Sequence, residues 1–181
     1  PIDAAFLQKL QEVGVRFLST RTVGYDHIDL AYARKIGIHI GNATYASESV
    51  ADYTIMLILM ALRKMKLILQ SAVSQDYSFD AVLGSNLKGK TLGVIGTGAI
   101  GQTLIRHIAG FGCRILAYNP HPRKEMEQYV TYVDLNTLYQ NSDIITLHVP
   151  LNDATYHLLN EAAFARMKPG VIIVNTARGP L

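Results

Sequence analysis

At 181 residues, 49% apolar and 17% charged, the chain has the makeup of an ordinary globular protein of one large or two small domains, not of a disordered one. Its net charge of +3 comes from scattered lysines and arginines without interleaved aromatics, which excludes an obvious nucleic-acid face. Cys113 is the only cysteine and the Pro1-Ile2-Asp3 start opens no basic-then-apolar leader. A reducing, cytoplasmic setting is therefore expected, with no metal and no membrane partner, since the greasiest run (55–62) falls short of the roughly 20 apolar residues that span a bilayer.

In chain order, 3–13 and 29–36 read as helices, the second capped by Asp26 or Asp29, and 15–18 and 38–40 as short strands. Between them lies the loop Ser19-Thr-Arg21-Thr-Val-Gly24-Tyr-Asp26, where the Val23 and Gly24 amides can form a small nest for a carboxylate. Ser47 is a plausible N-cap for a long helix with Glu48 in its first turn. From 50 to 69 that helix is apolar on nearly all sides, which points to burial between domains or subunits. It reads as a hinge and dimer element; a core helix of one compact domain is the plainer alternative. Arg63-Lys64-Met65-Lys66 reads as helix termination, with cations at the negative dipole end.

Residues 74–89 are polar, carry turn residues and read as a connector. Beyond them strand and helix alternate: strands at 91–95, 114–118, 130–133, 144–149 and 171–175, helices at 99–109, 134–141 and 160–167. The apolar, non-alternating runs at 144–147 and 171–174 suit parallel strands covered on both faces, so the expected fold is a Rossmann-like doubly wound α/β sheet. The expected division is 1–73, connector 74–89, and 90–181 as a dinucleotide-binding part.

The run Thr91-Leu-Gly-Val-Ile-Gly96-Thr-Gly98-Ala-Ile-Gly101 joins a strand to a helix through G-x-G-x-x-G. In that context Gly96 allows the tight turn, Gly98 lets a diphosphate approach the backbone, and Gly101 lets the helix pack on its strand. The helix N-terminus adds unpaired N–H groups and a positive dipole end. A glycine-rich turn of some other α/β protein is the competing reading.

The next strand ends at Asn119, where NAD-binding folds usually carry Asp or Glu for the adenosine ribose, about 20 residues past the glycines. A neutral amide can still bond a ribose, and it lacks the charge that would repel a 2′-phosphate, which Arg123 or Lys124 can receive. NAD, NADP or both are thus open, as is a plain Asn119-Pro120 turn with solvated basic residues. His148 lies at a strand end and is either an acid or, more often in such a place, structural; Val149 and Pro150 beside it can pack on a cofactor. Arg178, on the same sheet edge, can clamp a carboxylate through two parallel bonds; a surface arginine in a turn is the bland alternative.

Five motifs in order then resemble the D-isomer-specific 2-hydroxyacid dehydrogenases: Arg21-x-Val-Gly24-x-Asp26-x-Ile-Asp29, Ser49-Val-Ala-Asp-Tyr-Thr-Ile-Met-Leu, Val94 through Gly101, Asp143 through Pro150, and Met167-Lys-Pro-Gly170 with Asn175-Thr-Ala-Arg-Gly179. In look the chain is similar to D-lactate dehydrogenases of the vancomycin-resistance type. The resemblance implies a dimeric, two-domain NAD(P)-dependent oxidoreductase of small 2-oxo and D-2-hydroxy acids, with 1–73 expected to be part of a flavodoxin-like catalytic domain. By motif match it implies Val23, Gly24 and Tyr45 near the substrate carboxylate. It likewise implies Ala99, Ile100, Asn119, Val149, Pro150, Thr155, Thr176 and Ala177 near the cofactor, and Arg178 as the catalytic arginine. The family's catalytic glutamate and histidine would follow Leu181, so the chain is expected to be an internal piece of a longer protein. A dinucleotide-sensing module without turnover, akin to the corepressors related to this family, is the alternative function.

Overall fold

A computed structural model describes residues 1–44, 46–78 and 83–181. They form two compact units, Pro1–Ala46 and Ser47–Leu181.

In the first unit, helices α1 (Ala4–Glu12) and α2 (Leu30–Lys35) accompany strands β1 (Phe17–Thr20) and β2 (His39–Asn42), which pair in parallel. Asp3 caps α1 through the Phe6 amide and Asp29 caps α2 through the Tyr32 amide. Asp29, not Asp26, is thus the cap of the second helix. Leu7, Ala33 and Ile38 form the buried centre, with Leu18 and Ile40 packed on it.

The second unit contains α3 (Ser47–Leu62), α4 (Met65–Val73), β3 (Thr91–Ile95), α5 (Ala99–Ile108), β4 (Arg114–Tyr118), β5 (Thr131–Tyr132), α6 (Leu135–Asn141), β6 (Ile144–Leu147), α7 (Glu161–Phe164) and β7 (Ile172–Asn175). Its sheet runs β5-β4-β3-β6-β7, with every pair parallel. Alternate residues serve opposite faces, as the pleat requires. Leu92, Val94 and Ile144 pack with α3 and α5 residues such as Ile58 and Leu104, while Ile95 and Ile145 pack with Leu138, Tyr139 and Met167. The chain winds first to one side of β3 and then to the other, so the order reverses between β3 and β6. Such a switch point opens a crevice beyond the strands' C-terminal ends.

Three expectations are corrected. The single helix over 50–69 is two helices, because Lys64 takes a left-handed conformation (φ 52°) between α3 and α4; the basic run does terminate a helix, at Leu62. Ser47 is the first helical residue rather than the cap, and its hydroxyl meets that of Thr103 at 2.8 Å. The helix expected over 160–167 is one short turn, Glu161–Phe164, capped by Asn160.

The boundary between compact units falls at Ala46/Ser47 rather than in the connector. Helix α3 buries Ala51, Thr54, Ile58 and Leu62 in the same core as β3 and α5, a stripe at helical spacing that draws the whole element into the second unit. Of the expected connector, 79–82 lie outside the described residues. Ser85 donates to the Leu62 carbonyl at 2.8 Å and Leu87 is buried, so that end packs back rather than hanging free. Among the described residues no helix is long and apolar enough to cross a membrane.

Candidate functional site

The three glycines of the β3–α5 turn have separate physical reasons. Gly96 has φ +98°, and a Cβ there would lie 2.6 Å from the His148 carbonyl oxygen; the turn is pressed against the segment leaving β6. A Cβ on Gly101 would overlap the Gly96 carbonyl oxygen, so the helix can approach its own strand only with glycine there. Gly98 differs from both, because a Cβ there would meet nothing within 4 Å. It faces open space.

Gly98 is also the N-cap of α5, and no side chain caps that helix. Helices α1, α2, α6 and α7 all begin with an Asp or Asn accepting from a first-turn amide. Gly98 and Ala99 are exposed and Ile100 is half-buried. The first-turn N–H groups of α5 therefore sit at an open surface beside a glycine, an arrangement suited to an anion.

The other candidates reach the same sheet edge by other loops. Asn119 directly follows β4, and its Oδ1 accepts from the Thr97 amide at 3.1 Å while its Nδ2 donates to the His121 carbonyl at 2.7 Å. It does shape the turn with Pro120, and it also fastens that turn to the glycine loop. Val149 leaves β6 against the Gly96 turn, followed by exposed Pro150. Thr155 closes this loop, donating to the Pro150 carbonyl at 2.6 Å and accepting from the Asn152 amide at 2.9 Å.

After β7, Asn175 accepts from the Ala177 amide at 3.0 Å and donates to the Arg178 carbonyl at 2.7 Å. This sets the 175–178 turn. The Thr176 hydroxyl lies 3.0 Å from that of Thr54, and Arg178 donates to the Ala177 carbonyl at 2.8 Å. Because β3, β6 and β7 are parallel neighbours, the glycine turn, the 148–155 loop and the 175–178 turn all leave the same edge of the sheet.

His148 is half-buried with its Nε2 3.0 Å from the Thr146 hydroxyl, and burial lowers its pKa to about 4. Burial thus favours its neutral form near pH 7. In the first unit, the Val23 carbonyl accepts from Asn42 at 2.7 Å and the Gly24 carbonyl from Thr22 at 2.7 Å. The carbonyls are thus turned to the unit's own groups, while the Val23 and Gly24 amides donate to none of the described residues. Tyr45 lies outside the described residues.

Sequence reading missed Thr54, the buried hydroxyl that steadies Thr176, and Thr97 and Tyr132, which are bonded to each other at 3.1 Å. Thr54 carried a signal. It is the lone polar residue on the 51-54-58-62 stripe, and a threonine there needs a partner. Tyr132 carried none, since its partner is 35 positions away.

Residues 55–181 match the model of the D-isomer specific 2-hydroxyacid dehydrogenase NAD binding domain. The chain belongs to this family. Among its relatives, a D-specific alpha-keto acid dehydrogenase of Enterococcus faecium is 46% identical over 180 residues, covering 99% of this chain and 55% of the relative. The D-lactate dehydrogenase of Escherichia coli K12 is 42% identical over 177 residues, covering 97% and 54%. The crystal structure of an Aquifex aeolicus D-lactate dehydrogenase complexed with NAD and lactic acid is 37% identical and superposes with a TM-score of 0.87, covering 96% of this chain and 53% of that one. The chain spans about half the length of the curated relatives it matches. The family resemblance and the Rossmann-like sheet expected from sequence both hold, and the matched family domain is one that binds NAD.

Proposed function

We propose that the full-length protein carrying this chain is an NAD(P)-dependent oxidoreductase that interconverts small 2-oxo acids and D-2-hydroxy acids. The observation that carries this reading is the shared sheet edge: an uncapped helix N-terminus with a bare glycine, on the same edge as the turn that bears Arg178. The family's NAD binding domain supports the cofactor class, and the named activities of the relatives support the substrate class.

The residues present fit a dinucleotide. The space over Gly98 accepts a diphosphate, the α5 amides of Ala99, Ile100 and Gly101 hold it, and Val149, Pro150, Thr155, Thr176 and Ala177 wall the crevice. When bound, reduced nicotinamide supplies a hydride. Arg178 holds the substrate carboxylate by paired hydrogen bonds and so orients the carbonyl carbon. Val23 and Gly24, with Tyr45, are proposed by motif match to bind a substrate carboxylate. His148 is a poor general acid, since with its pKa lowered by burial to about 4 little of it is imidazolium at neutral pH. We assign the donor role to none of the described residues.

The reading extends to a homodimer through the 47–70 region. Met56, Leu59, Met60 and Phe111, with Asp52 and Arg63, line a largely apolar groove of about 590 Å³, and Tyr53, Leu67 and Leu69 are exposed; this apolar surface supports the dimer reading. A cytoplasmic setting fits the single Cys113 thiol, which is free.

The test is direct. Full-length protein with NADH or NADPH and pyruvate, 2-oxoisocaproate or 2-oxoglutarate should oxidise the nicotinamide, read by absorbance. Silence with every pair at saturating cofactor defeats the reading.

A further inference from the structure

Thr97 stands between the first two glycines of the turn and is wholly buried. Each of its polar groups is engaged. Its amide donates to Asn119 Oδ1 at 3.1 Å, its carbonyl accepts from Gln102 Nε2 at 3.0 Å, and its hydroxyl oxygen accepts from the Tyr132 hydroxyl at 3.1 Å. Tyr132, on the outermost strand β5, also accepts from the Arg123 amide at 3.1 Å. The 119–123 segment is therefore fastened at both ends, by Asn119 at one and Tyr132 at the other. Both fastenings meet on Thr97.

We propose that Tyr132 and Thr97 form a clasp that sets cofactor preference: it holds Asn119 in position for an unphosphorylated adenosine ribose and so favours NADH over NADPH. This rests on the dinucleotide reading above. A carboxamide has two N–H donors and two acceptor lone pairs. Asn119 commits one acceptor to Thr97 and one donor to His121, which leaves one of each. That remainder matches a ribose hydroxyl, which both donates and accepts. A 2′-phosphate only accepts, and it would depend instead on the exposed Arg123 and Lys124. Long cationic side chains reach a phosphate without needing a fixed backbone beneath them. Losing the clasp therefore weakens the ribose contact and spares the phosphate contact. Aspartate at 119 would not be equivalent, because a carboxylate has no donor for the His121 carbonyl. Tyr132 and Thr97 are positioning residues in this scheme.

The experiment is calorimetric titration of NADH and of NADPH into full-length wild type, Tyr132→Phe, Thr97→Val and Thr97→Ser proteins. Wild type binds NADH more tightly. Thr97→Val, which removes the hydroxyl bond to Tyr132, and Tyr132→Phe, which removes that bond and the one from the Arg123 amide, each weaken NADH by about tenfold and change NADPH by less than about twofold. Thr97→Ser, which keeps the acceptor, behaves as wild type. Should Thr97→Val not fold, Tyr132→Phe decides alone. An equal loss for both cofactors, as mere loosening of the glycine turn would give, overturns the proposal, as does an unchanged NADH affinity or a wild type that prefers NADPH. Wild type that binds neither removes the dinucleotide reading itself, and the clasp falls with it.

Discussion

The two edges of the five-stranded sheet are built on opposite plans. At the N-terminal edge, Asp143 accepts from the Thr91 amide at 2.8 Å and from Lys168 at 2.9 Å, joining the starts of β3 and β6 to the loop before β7. Burial works to raise its carboxyl pKa. The Lys168 hydrogen bond, the Thr91 amide and the charges of Lys168 and Lys90 outweigh that, and the carboxyl ends below its usual range. At the C-terminal edge the equivalent positions carry glycines, an uncapped helix and turns bonded to themselves. One edge satisfies its polar groups internally and holds the fold. At the other, no side chain among the described residues caps the first-turn amides of α5, and those amides stabilise nothing until an anion arrives. A residue's place along the strand thus says whether its loss should be felt in stability or in binding.

Within the glycine turn the two effects should separate. Gly101→Ala forces a methyl into the Gly96 carbonyl and should cost about 3 kcal/mol of stability, read as a lower midpoint in urea. Arg178→Lys comes next: kcat/KM for the 2-oxo acid should fall about 100-fold with unchanged Tm, because a two-pronged clamp becomes a point charge; unaltered steady-state kinetics would remove Arg178 from the site. Gly98→Ala should reverse the pattern of Gly101→Ala. Its methyl meets no protein atom, so stability should shift by less than about 1 kcal/mol, while dinucleotide affinity should drop about tenfold as the diphosphate is held off the backbone.

The smallest effect belongs to the closed edge. Asp143→Asn should cost about 1 kcal/mol, limited by the partial exposure of Asp143 and Lys168 (32% and 40%). Because the folded carboxyl pKa lies below its unfolded value, the pair's contribution is full above the ordinary carboxylate range and is lost as pH falls through the lowered value. Denaturation curves of the wild type should therefore weaken towards acid pH more steeply than those of Asp143→Asn, while kcat/KM stays as in wild type. A kinetic defect in Asp143→Asn with normal stability would erase the contrast between edges.

Local pattern was enough for the order of the elements and for the glycine turn. β3 and β4 match their expected bounds, Asp29 caps α2 as one of the two expected candidates, and the apolar runs at β6 and β7 are those of strands covered on both faces. These features depend on neighbours within a few residues, so the sequence by itself determined them, and with them the family. Tertiary structure decided the rest. Lys64 broke a helix that its apolar run would have continued, since φ at one residue leaves no mark in hydrophobic periodicity. Helix α3 joined the second unit because its buried stripe found α5, and no property of the stripe names its partner. Tyr132 reaches Thr97 and Arg123 only once β5 lies beside β4. Hydrogen bonds between residues far apart in the chain are fixed by strand order, and strand order is chosen by the packing of the whole sheet.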